Sequence, residues 1–385
     1  MKISTTARSH DGARRKIPNL LRASSCLGAF VLIFLVLPTQ AGDYLQVTGP
    51  REWSFPRDHG RHDGYKTEWW YFTGNLREKE TGRRFGYQLT FFRTAMSPTP
   101  TTRPSPWGIT DLYFSHAAIS DIGDQKFLFK DRIHRHRAGL AESSDRTMDV
   151  TLLDSYAKLD EKGAIHLSAK EEAFAMELTC APGCGPILQG PGGVNPKGKN
   201  VGQASYYYSL TRLATSGTLT VNGKRFEIEG RSWMDHEFSS NALSDEQAGW
   251  DWLGLTLDDG SDLMIYRLRK RDGTADYLSG TRVTSDGMAR YLTADDIHLE
   301  SSHPWKSPTT GGVYPQDWNL TIRGHLPMAI HSLMPNQELI TTASTDVNYF
   351  EGAAEISVAG KPAGAGYLEI TGTAKPLTDG GMSGK

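Results

Sequence analysis

From about residue 62 to residue 373 the chain repeats one pattern. Short runs in which bulky apolar or β-branched residues alternate with polar ones are cut by Gly, Pro, Asn and Asp. A period of two sends successive side chains to opposite faces of an extended strand. TEWWYFTGNL at 67–76 and FGYQLTFFR at 85–93 form such a pair, and the charged turn between them predicts a hairpin. Strands are expected next at 111–121, 126–133, 149–154, 164–169, 174–179 and 204–213. Asn222-Gly223, between 217–221 and 224–229, is the strongest hairpin signal in the chain. Asp258-Asp259-Gly260-Ser261 joins a second clear hairpin, 249–257 with 262–269, and the series runs on through 276–283, 318–324, 339–342, 350–358 and 366–373.

The Pro- and Gly-dense runs 96–107, 182–202 and 304–317 read as loops, because proline cannot serve a central strand. The second of them is placed beside a cavity mouth. Residues 134–148 are basic and helix-compatible, and His134-Arg135-His136-Arg137 reads as a solvated face. No helix longer than about three turns is expected anywhere, so the fold class is all-β, a sandwich or barrel. One sheet closing all these strands would be unusual at 385 residues, which favours two β-domains.

A net charge of −2 provides no field for nucleic acid, and nucleic-acid binding is set aside. The N-terminus changes the picture more. Arg14, Arg15, Lys16 and Arg22 precede a twelve-residue apolar run at 26–37, followed by Pro38-Thr39-Gln40-Ala41. This is the layout of a secretory signal peptide cut near Ala41, with a retained anchor as the alternative. A periplasmic or secreted location follows. In that oxidising setting Cys180 and Cys184, in CAPGC, are expected to form a local disulfide, since a zinc site would need two more ligands nearby.

The densest chemistry lies at 230–269, where Trp233, Asp235, His236, Glu237, Trp250, Asp251 and Trp252 fall in one stretch. Alternation puts Asp235 and Glu237 on one face and His236 on the other, so these three alone make no compact metal triad. By the same rule Trp250 and Trp252 share a face opposite Asp251, and Trp69 and Trp70 diverge. Glu68 stands among aromatics and is either a buried ion-pair member, with Arg231 or His236, or a site acid. No Gly-x-Ser-x-Gly elbow and no phosphate-binding Gly loop is present, which excludes a serine hydrolase and a P-loop enzyme of the usual kinds. No metal and no cofactor is expected.

The segments 67–76, RSWMDHEF at 231–238, GWDWLGL at 249–255, 259–269 and 349–372 together resemble the AttH/CrtC lipocalin-like family, which includes carotenoid 1,2-hydratases and predicted secreted hydrolases. The likeness runs from about 62 to about 372. It implies two packed lipocalin-like (calycin-type) antiparallel β-barrel domains, at 43–238 and 239–376, after a signal peptide at 1–41 and before a tail at 377–385. It also implies a cavity for a hydrophobic small molecule, an isoprenoid or other lipid, and a place beside an ABC-type membrane transporter. Trp69, Trp70, Tyr71, Trp233, Trp250 and Trp252 are assigned to the apolar wall, and Asp235 and Phe238 to the ligand site. The hydratase branch of the family implies roles for His236, Phe238 and Tyr266, but the acid expected just after the tyrosine is replaced by Arg267, Leu268 and Arg269. Two readings stand: a ligand-binding protein, or a hydratase/lyase-like enzyme working through His236 with Glu68 or Asp251 and Tyr266.

Overall fold

The structure is a computed structural model that describes residues 43–98, 108–241 and 243–377. The expected signal peptide at 1–41, its cleavage point and all but the first residue of the expected tail lie outside the described residues. Two antiparallel sheets account for nearly all the regular structure, and the only helical segments described are single 3-10 turns. The first sheet has 13 strands from residues 67–239, the second 10 strands from 247–370. The described residues form one compact unit.

In the first sheet the strands at Thr67–Glu78 and Lys224–Ser239 are central neighbours, paired from Thr67–Ser239 to Glu78–Ile228. The sheet then curls, so that Tyr113 near one end of the strand order reaches Ser143 at the other, hydroxyl to hydroxyl at 2.8 Å. The lead-in segment covers the barrel interior: Trp53 and Phe55 pack on Tyr208, and the Trp53 indole donates to the Gly192 carbonyl (3.1 Å). In the second sheet the Gln247–Leu257 strand lies between Asp262–Lys270 and Lys361–Ile370.

Strand alternation gives each central strand two jobs. Trp70, Phe72 and Met234 face the core of the first sheet; Leu253, Ile265 and Leu368 face that of the second. The residues between them, Tyr71, Trp233, Trp252, Tyr349 and Tyr367, form a third aromatic layer where the sheets meet. A strand buried on both faces shows a near-continuous apolar run in place of strict alternation, and Trp233–Ser239 is buried at every position. The close approach depends on Gly86, where a Cβ would sit 2.7 Å from that of Ala353 across the layer.

Three expectations need correction. Residues 134–148 hold no helix: strands run at Lys126–Arg135 and Ala141–Ser143, and the turn between them places Gly139 at φ 75°, a conformation that suits glycine. The 304–317 run is largely strand, with Pro304 paired to Pro315. It is tolerated because Ile297–Lys306 ends the sheet order and Pro315 has no partner on its other side. Finally, Cys180 and Cys184 are not bonded to each other. Cys180 ends the inward-facing series of Phe174–Cys180 and is fully buried, accepting from the Thr215 hydroxyl at 3.5 Å, whereas the following turn carries Cys184 out to solvent.

Burial also pushes the Cys180 thiol's pKa up, so it is slow to react. In the folded protein, thiol titration is expected to modify Cys184 readily and Cys180 only on unfolding. Dithiothreitol should leave the melting temperature unchanged, and a clear drop would mean that the two cysteines are in fact joined.

Candidate functional site

The site forms where the double-faced strands meet. Register sets Trp69 opposite Glu237 and Tyr71 opposite Asp235, so these four share the face turned to the second sheet. From that sheet Trp252 is the cross-strand partner of both Tyr266 and Glu369. These side chains, with Trp250 and Tyr207, enclose a cavity of about 120 Å³. Its wall is aromatic and its polar groups are few and convergent, as in small-molecule sites generally. The 182–202 run is not loop throughout: short strands at Pro186–Leu188 and Val194–Pro196 pair with Ala204–Val221. Directly after the second comes Lys197, whose ammonium lies 2.8 Å from Glu237 and 3.9 Å from the centre of the Tyr266 ring.

Burial dominates the electrostatics. Asp235 accepts from the Tyr207 hydroxyl (2.5 Å), the Ser209 hydroxyl (2.5 Å) and the Trp233 indole (2.6 Å). Desolvation nonetheless outweighs these donors, and its pKa is pushed up to about 7. Glu369 accepts from the Trp250 indole (2.9 Å), and burial, with Asp235 and Glu237 nearby, pushes it up to about 8. Behind them Glu351, bonded by the Tyr71 hydroxyl at 2.8 Å, is also raised by burial. The Lys197–Glu237 ion pair therefore sits beside two carboxyl groups that exchange their protons in the range about pH 7–8. A carboxylic acid in a dry aromatic site can donate a proton, and the adjoining carboxylate can accept one.

The sequence-assigned residues divide into three places. Trp69, Tyr71, Asp235, Trp250, Trp252 and Tyr266 line the cavity, and Trp233 stands behind Asp235. Glu68, Trp70, His236 and Phe238 lie on the opposite faces of the same strands, inside the first sheet, where Glu68 and His236 are fully buried and 2.9 Å apart. Asp251 is inside the second sheet, clamped by Arg267 (2.7 Å) and Arg269 (3.0 Å). His236 and Glu68 are thus paired as one reading required, but inside the first sheet and away from the cavity, while Asp251 and Tyr266 lie apart from them and from each other. The position after Tyr266 that shares its face is filled by apolar Leu268, while Arg267 points away to Asp251.

Lys197, Tyr207 and Glu369 went unassigned in the sequence. Glu369 carried a visible signal, an acid within the apolar strand YLEI, and Tyr207 lay in an aromatic run. Lys197 had none, since the strand just before it, Val194–Pro196, is too short, and its surroundings too rich in Pro and Gly, to show a period.

Three comparisons bear on this geometry. The family model described as AttH-like matches residues 46–373. A crystal structure of an AttH protein from Nitrosomonas europaea is 34% identical, covers 86% of this chain and 99% of its own, and superposes with a TM-score of 0.78. Kievitone hydratase from Nectria haematococca, 15% identical, covers 86% of this chain and 97% of its own at a TM-score of 0.64, a likeness of fold. No curated protein matches the sequence significantly.

Asp235 and Glu369 bind their protons more tightly folded than unfolded, so their contribution to stability is whole below about pH 4 and is lost as pH rises through about 7 and 8. Urea midpoints are therefore expected to fall between about pH 5 and pH 9, and Asp235→Asn with Glu369→Gln should flatten the slope. An unchanged slope would show that these acids are ionised throughout. Asp251→Asn should instead cost about 3 kcal/mol by leaving two arginines without their anion, with the cavity unaffected.

Proposed function

We propose that this chain, which belongs to the AttH-like family, binds a largely apolar small molecule in the inter-sheet cavity and transfers protons to and from it. The observation that carries the reading is the pairing of two buried carboxyl groups of raised pKa, Asp235 and Glu369, with indole walls and the Lys197–Glu237 ion pair. A cavity of about 120 Å³ suits a small ring or the branched end of a longer isoprenoid or lipid, and the tryptophans provide the apolar contact.

The reaction class that uses this layout best is reversible addition of water to a carbon–carbon double bond. Asp235 or Glu369 gives its proton to one alkene carbon, and aromatic side chains favour the positive charge that develops on the other. A water oxygen bonds to that carbon while Glu237 takes the proton released, and passing it back through Asp235 or Glu369 restores the starting state. The hydratase activity named for the Nectria protein is consistent with this class. Export to the periplasm or medium, and work beside a membrane transporter, belong to the same reading as its setting.

Organic extraction of the purified protein followed by mass spectrometry is expected to release an unsaturated apolar compound. With that compound as substrate, Asp235→Asn and Glu369→Gln should each lower kcat by roughly 10²–10⁴-fold and leave Kd nearly unchanged. Trp252→Ala should weaken binding, and Asp251→Asn should alter neither in the molecules that fold. Tight binding with no turnover in the parent protein would sink the catalytic half of the proposal and leave a carrier. Failure to bind any extractable lipid would sink both halves.

A further inference from the structure

On the far side of the same two strands lies a second polar cluster, walled off from the cavity. His62, Glu68 and His236 each point one ligand atom at a common centre, and these atoms all lie within 4.8 Å of one another. His62 Nδ1 is 2.8 Å and His236 Nε2 2.9 Å from the same Glu68 oxygen. The three come from the lead-in segment, the Thr67–Glu78 strand and the Lys224–Ser239 strand, and only the closed fold brings them together.

Both imidazoles are held in the manner of metal ligands. His62 Nε2 meets Asp58 Oδ1 at 3.1 Å, and Asp58 is itself fixed by Arg51 (2.9 Å) and the Ser54 amide (2.6 Å). His236 Nδ1 meets the Tyr208 hydroxyl at 3.0 Å, which in turn meets His59 at 2.7 Å. A carboxylate or hydroxyl behind the outer nitrogen sets the tautomer and orientation of a ligating histidine. The rings are also locked by packing, His62 flat on Phe238 (3.6 Å between centroids, 8°) and His236 on Trp70 (4.9 Å, 24°).

His62 faces a carboxylate oxygen with each ring nitrogen, Asp58 at Nε2 and Glu68 at Nδ1. With the Nε2 proton directed to Asp58, Nδ1 presents a lone pair on the side of Glu68, and a cation between them would be held by both groups. Arg93, 3.6 Å from Glu68, is the opposing charge, but Asp111 holds it more closely, at 2.7 Å.

We propose that His62, Glu68 and His236 bind one divalent transition-metal ion of the zinc class inside the first sheet, pinning the lead-in segment to the barrel. Two imidazoles and a carboxylate are a common donor set for such ions. Bonds of about 2.0–2.1 Å in tetrahedral geometry set ligand atoms roughly 3.3 Å apart, so the two Glu68 contacts must open by about half an ångström, within reach of a Glu68 side-chain rotation. The two imidazole nitrogens, within 4.8 Å of each other, must take up the same spacing. Binding would stabilise the fold by mass action and would not depend on any ligand in the cavity.

The test uses the purified chain, stripped with chelator and returned to zinc chloride alone. Elemental analysis after desalting is expected to find stoichiometric zinc, with the melting temperature raised by roughly 5 °C at zinc about a hundredfold above Kd. His62→Gln and Glu68→Gln should each abolish the uptake and the shift. A His303→Ala/His331→Ala variant, which removes the exposed histidines beside Asp317, should retain both. No retained zinc, or uptake untouched by His62→Gln and Glu68→Gln, overturns the proposal. If those variants do not fold, X-ray absorption of the zinc-loaded His303→Ala/His331→Ala variant decides: a shell of two imidazoles and oxygen supports the site, and any other shell overturns it.

Discussion

The constraint on which this architecture rests is that its central strands are buried on both faces. A strand can send every second residue to one side only, and here both sides are protein. Thr67–Glu78 and Lys224–Ser239 therefore each serve the core of the first sheet and the layer between sheets with interleaved residues. A one-residue slip would exchange the two sets and place His236 against Trp252 and Asp235 against Trp70. Hydrogen bonds tie the register down across the layer, from Tyr71 to Glu351, from the Trp252 indole to Tyr207, and from Ser120 to Gln337.

The cavity and the histidine cluster are two outcomes of that single arrangement. Adjacent residues, Asp235 and His236, enter different chemistries because they point in opposite directions. On one face the acids lack enough compensating charge: Lys197 is the close cation, bound to Glu237, and burial lifts the pKa values of Asp235 and Glu369 to about 7 and about 8. On the other face the hydrogen bonds win. Burial opposes charge on Glu68, yet donation from His236 and His62 holds its pKa well below the usual carboxylate range. The same physical terms, differently balanced some few residues apart, yield a proton donor on one side and an anion on the other.

Burying acids beside tryptophans disfavours their charged forms, and the fold supports them with a large aromatic core. Tyr207 shows how closely this is arranged, donating a hydrogen bond to Asp235 while accepting one from the Trp252 indole at 3.0 Å. Such a chain links the two sheets through the group proposed to move a proton. Structural support and chemistry fall on the same atoms, so a cavity variant is best judged by stability and turnover together.

The sequence by itself determined the all-β class, most strands and hairpins, and the relative facing of Trp69 and Trp70, of Asp235, His236 and Glu237, and of Trp250, Asp251 and Trp252. Those are local properties, carried by period and by turn residues such as Asn222-Gly223. It also placed Trp69, Tyr71, Asp235, Trp250, Trp252 and Tyr266 among the site residues. What only the tertiary structure decided is which faces meet. Knowing that Asp251 opposes Trp250 does not say that it turns inward to Arg267 and Arg269, nor that Glu68 and His236 find His62 and leave the cavity to others. Glu369 joins Asp235 from a strand more than a hundred residues away, and Lys197 follows a strand too short to show a period. The free cysteines make the same point: their spacing allowed a bond, and the inward turn of one strand end removed it. Alternation is written locally, whereas closure of a sheet and the pairing of two sheets depend on every strand at once.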